Sequence, residues 1–163
     1  MNIYVKDQNT LIFDDFKFKC CIGKNGFTKN KIEGDQKTPS GTFELDNLYY
    51  RKDRLKKPTT KLNTKIIRLS MGWCNDTKSL KYNKLIKISK KFKYEKMFRK
   101  DYKYDLVLPI KYNMKKVIIN KGSAIFIHLT KNYKPTAGCI GLKKNDFLIL
   151  LKLINKKTKI NII

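Results

Sequence analysis

At 163 residues and 41% hydrophobic content, with nine Phe and nine Tyr, the chain is long enough to bury a real core. That composition excludes disorder of the whole chain despite 31% charged residues. The 38 Lys+Arg against 13 Asp+Glu, formally +25, admit two readings: a polyanionic partner such as nucleic acid or an anionic polymer, or the drift of an AT-rich genome, which also enriches Asn, Ile, Tyr and Phe.

The N-terminus, MNIYVKDQNT, lacks the apolar core of a signal peptide, and no later stretch is apolar enough for a membrane span. Taken literally, the chain stays in the cytoplasm. Ile3 and Val5 alternate, Leu11-Ile12-Phe13 follows a polar turn, and Phe16, Phe18, Cys20 and Ile22 keep a period of two, so paired strands are expected up to Gly23. Adjacent Cys20 and Cys21 then point to opposite faces. With Cys74 and Cys139 they form no CxxC pair and no metal-ligand spacing around the single His, so neither a disulfide framework nor a zinc site is indicated.

Gly34 to Phe43 is dense in turn formers; Pro39 and Gly41 suit a tight loop leading into a strand at Thr42–Leu45. Residues 49–63 read as basic, irregular and exposed, and residues 65–70 as a strand. Met71-Gly-Trp-Cys-Asn-Asp76 holds the lone Trp, a core or lid residue. Between 78 and 104, Lys alternates with aromatic and aliphatic residues, which fits either a single-stranded nucleic-acid groove or an ordinary basic surface. The few Arg residues (Arg51, Arg54, Arg68, Arg99) favour the surface. Strands are expected at 104–110 and 116–120, a largely buried helix capped by Asn145 or Asp146 through Ile154, and a closing strand at 158–163. The sum is about eight or nine short strands and one helix, a mostly-β single domain spanning residues 1–163.

His128, the only histidine, closes the apolar run Ala124–Ile127, and Cys139 follows eleven positions later, after the loop formers Tyr133-Lys-Pro-Thr136. A free thiol is only about 3% thiolate at neutral pH. An imidazole that takes its proton lowers the thiol pKa by roughly 2–3 units, about 3–4 kcal/mol of thiolate stabilisation. Small Ala137 and Gly138 let a carbonyl approach, and the amides of Gly138 and Cys139 could face a developing oxyanion. The same residues also fit a buried Cys beside a hydrogen-bonded strand-end His.

Gly34-Asp-Gln-Lys-Thr-Pro-Ser-Gly-Thr-Phe43, Met71-Gly-Trp-Cys-Asn-Asp76, Tyr104-Asp-Leu-Val-Leu108 and Gly122-Ser-Ala-Ile-Phe-Ile-His128 through Thr136-Ala-Gly-Cys-Ile140, in this order, resemble the L,D-transpeptidase catalytic (YkuD-type) family from about Ile3 to the C-terminal helix. The resemblance implies a mostly-β, YkuD-type sandwich or mixed-sheet domain with one C-terminal helix. It implies a Cys139 thiolate that attacks an L,D-peptide bond of a peptidoglycan stem, with His128 as base. A second stem's amine then resolves the thioester into a 3→3 cross-link. It further implies that the Leu129 carbonyl orients the ring, that the amides of Gly138 and Cys139, with that of Ala137, form the oxyanion hole, and that Thr136 matches the Ser/Thr of the nucleophile motif. The partners implied are peptidoglycan stem peptides, with no specific nucleic acid; a monomer without metal or organic cofactor is expected, in the periplasm or cell envelope although no leader is visible. Two positions depart from the common pattern: Ala137 stands for a second His and Gly141 for Arg or Asn, and the eleven-residue spacing is short. The competing readings are an L,D-carboxypeptidase or endopeptidase acting through the same thioester, and a non-catalytic basic module that binds nucleic acid or anionic cell-wall polymer.

Overall fold

The computed structural model describes residues 1–163. Strand propensity decides the early chain: β1 (Ile3–Val5), β2 (Thr10–Phe13) and β3 (Phe16–Cys21) form a meander, with Phe13 opposite Phe16 across a two-residue turn. β4 (Phe27–Thr28) and β5 (Thr38–Pro39) make a small parallel pair, and β6 (Gly41–Glu44), β7 (Leu48–Tyr50) and β8 (Thr64–Ile66) follow. Next come β9 (Met71–Cys74), β10 (Leu85–Lys87) and β11 (Tyr94–Lys96), then β12 (Leu106–Pro109), β13 (Phe126–Leu129), β14 (Ile140–Leu142), helix α1 (Lys144–Leu153) and β15 (Lys159–Ile162).

Ten strands join one mixed sheet in the order β6-β15-β1-β2-β3-β14-β13-β12-β7-β8, while β10-β9-β11 form a separate sheet. The central strands are buried on both faces, and the period of two sorts their side chains. Leu48, Tyr50, Leu106, Leu108, Ile127, Leu129, Ile140 and Leu142 face one way, into a 25-residue core that includes Phe147, Leu150 and Leu151 of α1. Tyr49, Val107 and Phe126 face the other way, into a nine-residue cluster closed by Trp73, Met97 and Tyr104. Trp73 meets Phe126 edge-on at 5.0 Å between ring centroids. The small sheet is thus a lid on the second face.

The mostly-β architecture with one helix and a curled mixed sheet agrees with the expectation, but several details differ. There are fifteen strands rather than eight or nine, because many are only two to four residues long. Residues 116–120 form no strand: Asn113 takes a left-handed conformation and its side chain binds the backbone of Ile118 and Gly122, folding the segment into a loop that leaves Ile118 and Ile119 exposed. Residues 78–104 are not mere surface, since they supply two lid strands and the buried Tyr82, Asn83 and Met97. The irregular stretch begins after Tyr50, and Arg51 at its head is buried, paired with Asp53. The helix has no side-chain cap: its N-cap is Lys143, and Asp146 lies inside the first turn, where its charge favours the helix dipole. Its outer face is open, with Ile149 exposed.

Candidate active site

β13 places His128 on the lidded face, at a central rung of the sheet. After a loop over residues 130–139, the chain returns parallel to β13, with Ile127 opposite Ile140 and His128 opposite Gly141. One rung earlier Cys139 lies beside Phe126, whose N–H points at its Sγ (3.4 Å). Side chains two residues apart share a face, so Cys139 and His128 stand on the same side of adjacent strands. Both line one cleft of about 550 Å³, together with Glu33, Glu95, Arg99 and Lys103.

The turn that carries Cys139 is held from several directions. Thr136 donates its N–H to the Ile22 carbonyl (2.8 Å) and receives that of Lys24 on its own carbonyl (2.9 Å). Its hydroxyl donates to the Cys139 carbonyl (2.6 Å) and accepts the Gly138 N–H (3.1 Å). Gly138 has φ 139°, and a Cβ there would come within 2.8 Å of the Lys37 carbonyl oxygen, so glycine is required on conformational and steric grounds. Thr38, fully buried, donates its hydroxyl to the Gly138 carbonyl and accepts the Gly23 N–H, each at 2.9 Å. The Gly34–Phe43 segment is therefore the wall behind this turn.

The amides differ from the expectation. The Gly138 N–H is already taken by Thr136, whereas those of Cys139 and Ala137 make no hydrogen bond within the protein. The two amides open to a developing oxyanion are thus 137 and 139. Ala137 itself is exposed at the cleft, but Gly141 is not: it is buried, and a Cβ on it would meet Cys21 Sγ at 2.5 Å and Thr130 at 3.2 Å. The space that a side chain at position 141 would need is filled by the Cys21 thiol.

The electrostatics also reverse one expectation. The Leu129 carbonyl, which can only accept, lies 3.0 Å from His128 Nδ1. Nδ1 therefore carries the hydrogen, and the Nε2 lone pair is the basic one. Burial lowers the His128 pKa to about 4; the Leu129 carbonyl opposes this and the nearby cations Lys103 and Arg99 add to it. Burial pushes the Cys139 thiol up to about 12, with the Glu95 carboxylate acting in the same direction. A depressed thiol pKa was expected; the resting pair is instead neutral thiol and neutral imidazole, because both side chains are under a tenth exposed.

The residue run did not single out three further contributors. Ala124, left-handed at φ 53°, accepts the Cys139 S–H on its carbonyl (3.2 Å). Tyr104 packs against the His128 ring, 5.6 Å between centroids, and donates its hydroxyl to Glu95. Glu95, on lid strand β11, has its carboxyl raised by desolvation, with Arg99 3.8 Å away. Their signal exists only in three dimensions, since 15 residues separate Ala124 from Cys139. No group of three or more His, Cys, Asp or Glu is placed to hold a metal ion, and no helix is long and apolar enough to cross a membrane.

No curated protein matches the chain. Among solved structures, the helical cell shape determining protein Pgp2 from Campylobacter jejuni aligns at 20% identity and a TM-score of 0.49, covering 98% of this chain and 45% of that one. The chain thus spans about half of that protein's length. A family model described as the L,D-transpeptidase catalytic domain (YkuD), a family that acts on peptidoglycan, matches residues 1–162. On that match, which leaves out one residue, the chain belongs to the L,D-transpeptidase catalytic domain family.

Proposed function

We propose that this protein is a cysteine-dependent peptidoglycan L,D-transpeptidase with Cys139 as nucleophile and His128 as general base. One observation carries the reading: within a chain matched to the family, the only His and a buried Cys share one face of adjacent parallel strands and open to one cleft. A donor stem peptide binds with its L-centre carbonyl over Sγ. His128 Nε2 takes the thiol proton as Sγ leaves the Ala124 carbonyl and attacks. The tetrahedral oxyanion faces the amides of Cys139 and Ala137, each donor being worth about 2.7–4 kcal/mol in comparable sites. On collapse the imidazolium returns its proton to the departing amine, leaving a thioester. A second stem's amine attacks that thioester, closes the 3→3 cross-link and restores the thiol. Because the resting pair is neutral, proton transfer belongs to the attack step rather than preceding it. The substrate places this reaction in the cell envelope.

The test is mass spectrometry after incubation with disaccharide-tetrapeptides. The wild type is expected to form an acyl adduct at Cys139 and a cross-linked dimer, and Cys139→Ala to lose both by at least about 10³-fold. Released tripeptide without dimer would identify a hydrolase acting through the same thioester. Absence of any adduct, or identical products from Cys139→Ala, would sink the catalytic reading and leave the basic binding module.

A further inference from the structure

The Cys139 thiol is aimed by a backbone carbonyl, and that carbonyl is itself held by a lid residue. Ala124 sits at φ 53°, a conformation that side chains with a Cβ seldom adopt without support. Its support is Asn83, 2% exposed, in the turn between β9 and β10. Asn83 Oδ1 accepts the Ala124 N–H at 3.0 Å and the Trp73 Nε1–H at 2.9 Å. Its Nδ2 donates to the carbonyls of Tyr112 (3.0 Å) and Asn113 (2.8 Å). Both lone-pair sites and both amide hydrogens are used, so the side chain has a single orientation. The Ala124 peptide fixed in this way turns its carbonyl to Cys139 Sγ at 3.2 Å, opposite the Phe126 N–H at 3.4 Å.

We infer that Asn83 is a positioning residue for the nucleophile: by clamping Ala124 in its left-handed conformation, it keeps the Ala124 carbonyl on the Cys139 thiol and holds that thiol oriented and protonated until the base acts. The inference rests on Cys139 being the nucleophile. A hydrogen bond to the neutral form of a group favours that form, so release of the clamp lowers the thiol pKa. A purely structural Asn would change stability and leave the thiol's titration where it was.

The experiment follows iodoacetamide alkylation of Cys139 in the full chain against pH, with peptide mapping to separate it from the other three cysteines. Asn83→Ala is expected to move the midpoint down by roughly half to one unit, about three- to tenfold faster alkylation at pH 7. Asn83→Asp keeps an acceptor for the Ala124 N–H and loses the Nδ2 donors. It is expected to lower the melting temperature without lowering the midpoint, since its added charge acts only upward. Adding Ala124→Gly to Asn83→Ala is expected to restore the midpoint, because glycine takes positive φ without the clamp. The inference is overturned if Asn83→Asp lowers the midpoint as Asn83→Ala does, if neither variant moves it, or if Ala124→Gly restores nothing. Should Asn83→Ala not fold, Asn83→Leu, of similar volume and likewise without an acceptor for the Ala124 N–H, takes its place: a lowered midpoint supports the inference and an unmoved one refutes it. Loss of acyl transfer as the function would appear separately, as a missing thioester in the wild type.

Discussion

The two faces of the central sheet are built from alternate residues of the same strands, yet they do different work. The helix-backed face gathers 25 buried residues, all apolar or Tyr and Cys, around Phe147, Leu150 and Leu151. The lidded face gathers nine, Tyr104 and Cys139 among them, and beside these lie His128 and the Glu95 carboxylate. A face that only has to exclude water can be filled with branched and aromatic side chains. A face that has to move a proton needs polar groups, so it is smaller, and each such group is tied by a named hydrogen bond. Stability is concentrated on the first face and the proposed chemistry on the second.

This division can be broken from either side. On the core face, Phe147→Ala deletes a fully buried ring and is expected to cost about 3–5 kcal/mol, roughly 10 °C in melting temperature for a chain of this size. The alkylation profile of Cys139 should stay unchanged in the protein that remains folded; a shifted profile would show that the two faces are coupled.

On the lidded face the largest stability effect is expected from pH. His128 titrates near 4 when folded against an ordinary 6.5. Between those values the unfolded chain binds a proton that the folded protein refuses, so stability falls as pH drops from 6.5 toward 4. The fall is about 3 kcal/mol at 1.36 kcal/mol per unit. Chemical denaturation at pH 7 and pH 4 should show this extra loss in the wild type and not in His128→Gln. Equal losses in both would mean that other groups carry the acid sensitivity.

The smallest effect concerns a residue that is silent chemically. Gly141→Ala forces a Cβ to within 2.5 Å of Cys21 Sγ, so about 1–3 kcal/mol of destabilisation is expected, with partial recovery when Cys21→Ala removes the sulfur. Independent, additive melting shifts for the two substitutions would refute the packing account.

How much of this could be read beforehand varied with the kind of signal. The alternation at Phe18, Cys20 and Ile22 foretold a strand, and the apolar run Ala124–Ile127 foretold another, because side-chain period and burial are local properties; the second strand lies two residues later, at Phe126–Leu129, since Ala124 is left-handed. The Gly34–Phe43 loop was legible as a rigid turn, and its Thr38 bond to Gly138 gives the rigidity a purpose. The lid was not legible: Lys-aromatic alternation over 78–104 has no clean period, and its burial comes from what it covers. Lys116–Asn120 misled because β-branched residues predict a strand only where a neighbouring edge accepts one, and the Asn113 side chain took their backbone groups instead.

By itself the sequence determined the identities that matter: one His, one Cys behind a small-residue turn, and the strand pattern that supports them. It could do so because residue type and spacing are local. The tertiary structure alone decided the protonation state and the aim of the pair. Both depend on burial and on partners far along the chain: the Glu95 carboxylate that helps to raise the Cys139 pKa, and the Ala124 carbonyl that holds its hydrogen. The thiol that free solution would leave partly ionised is kept neutral here because desolvation penalises the charged form wherever water is excluded.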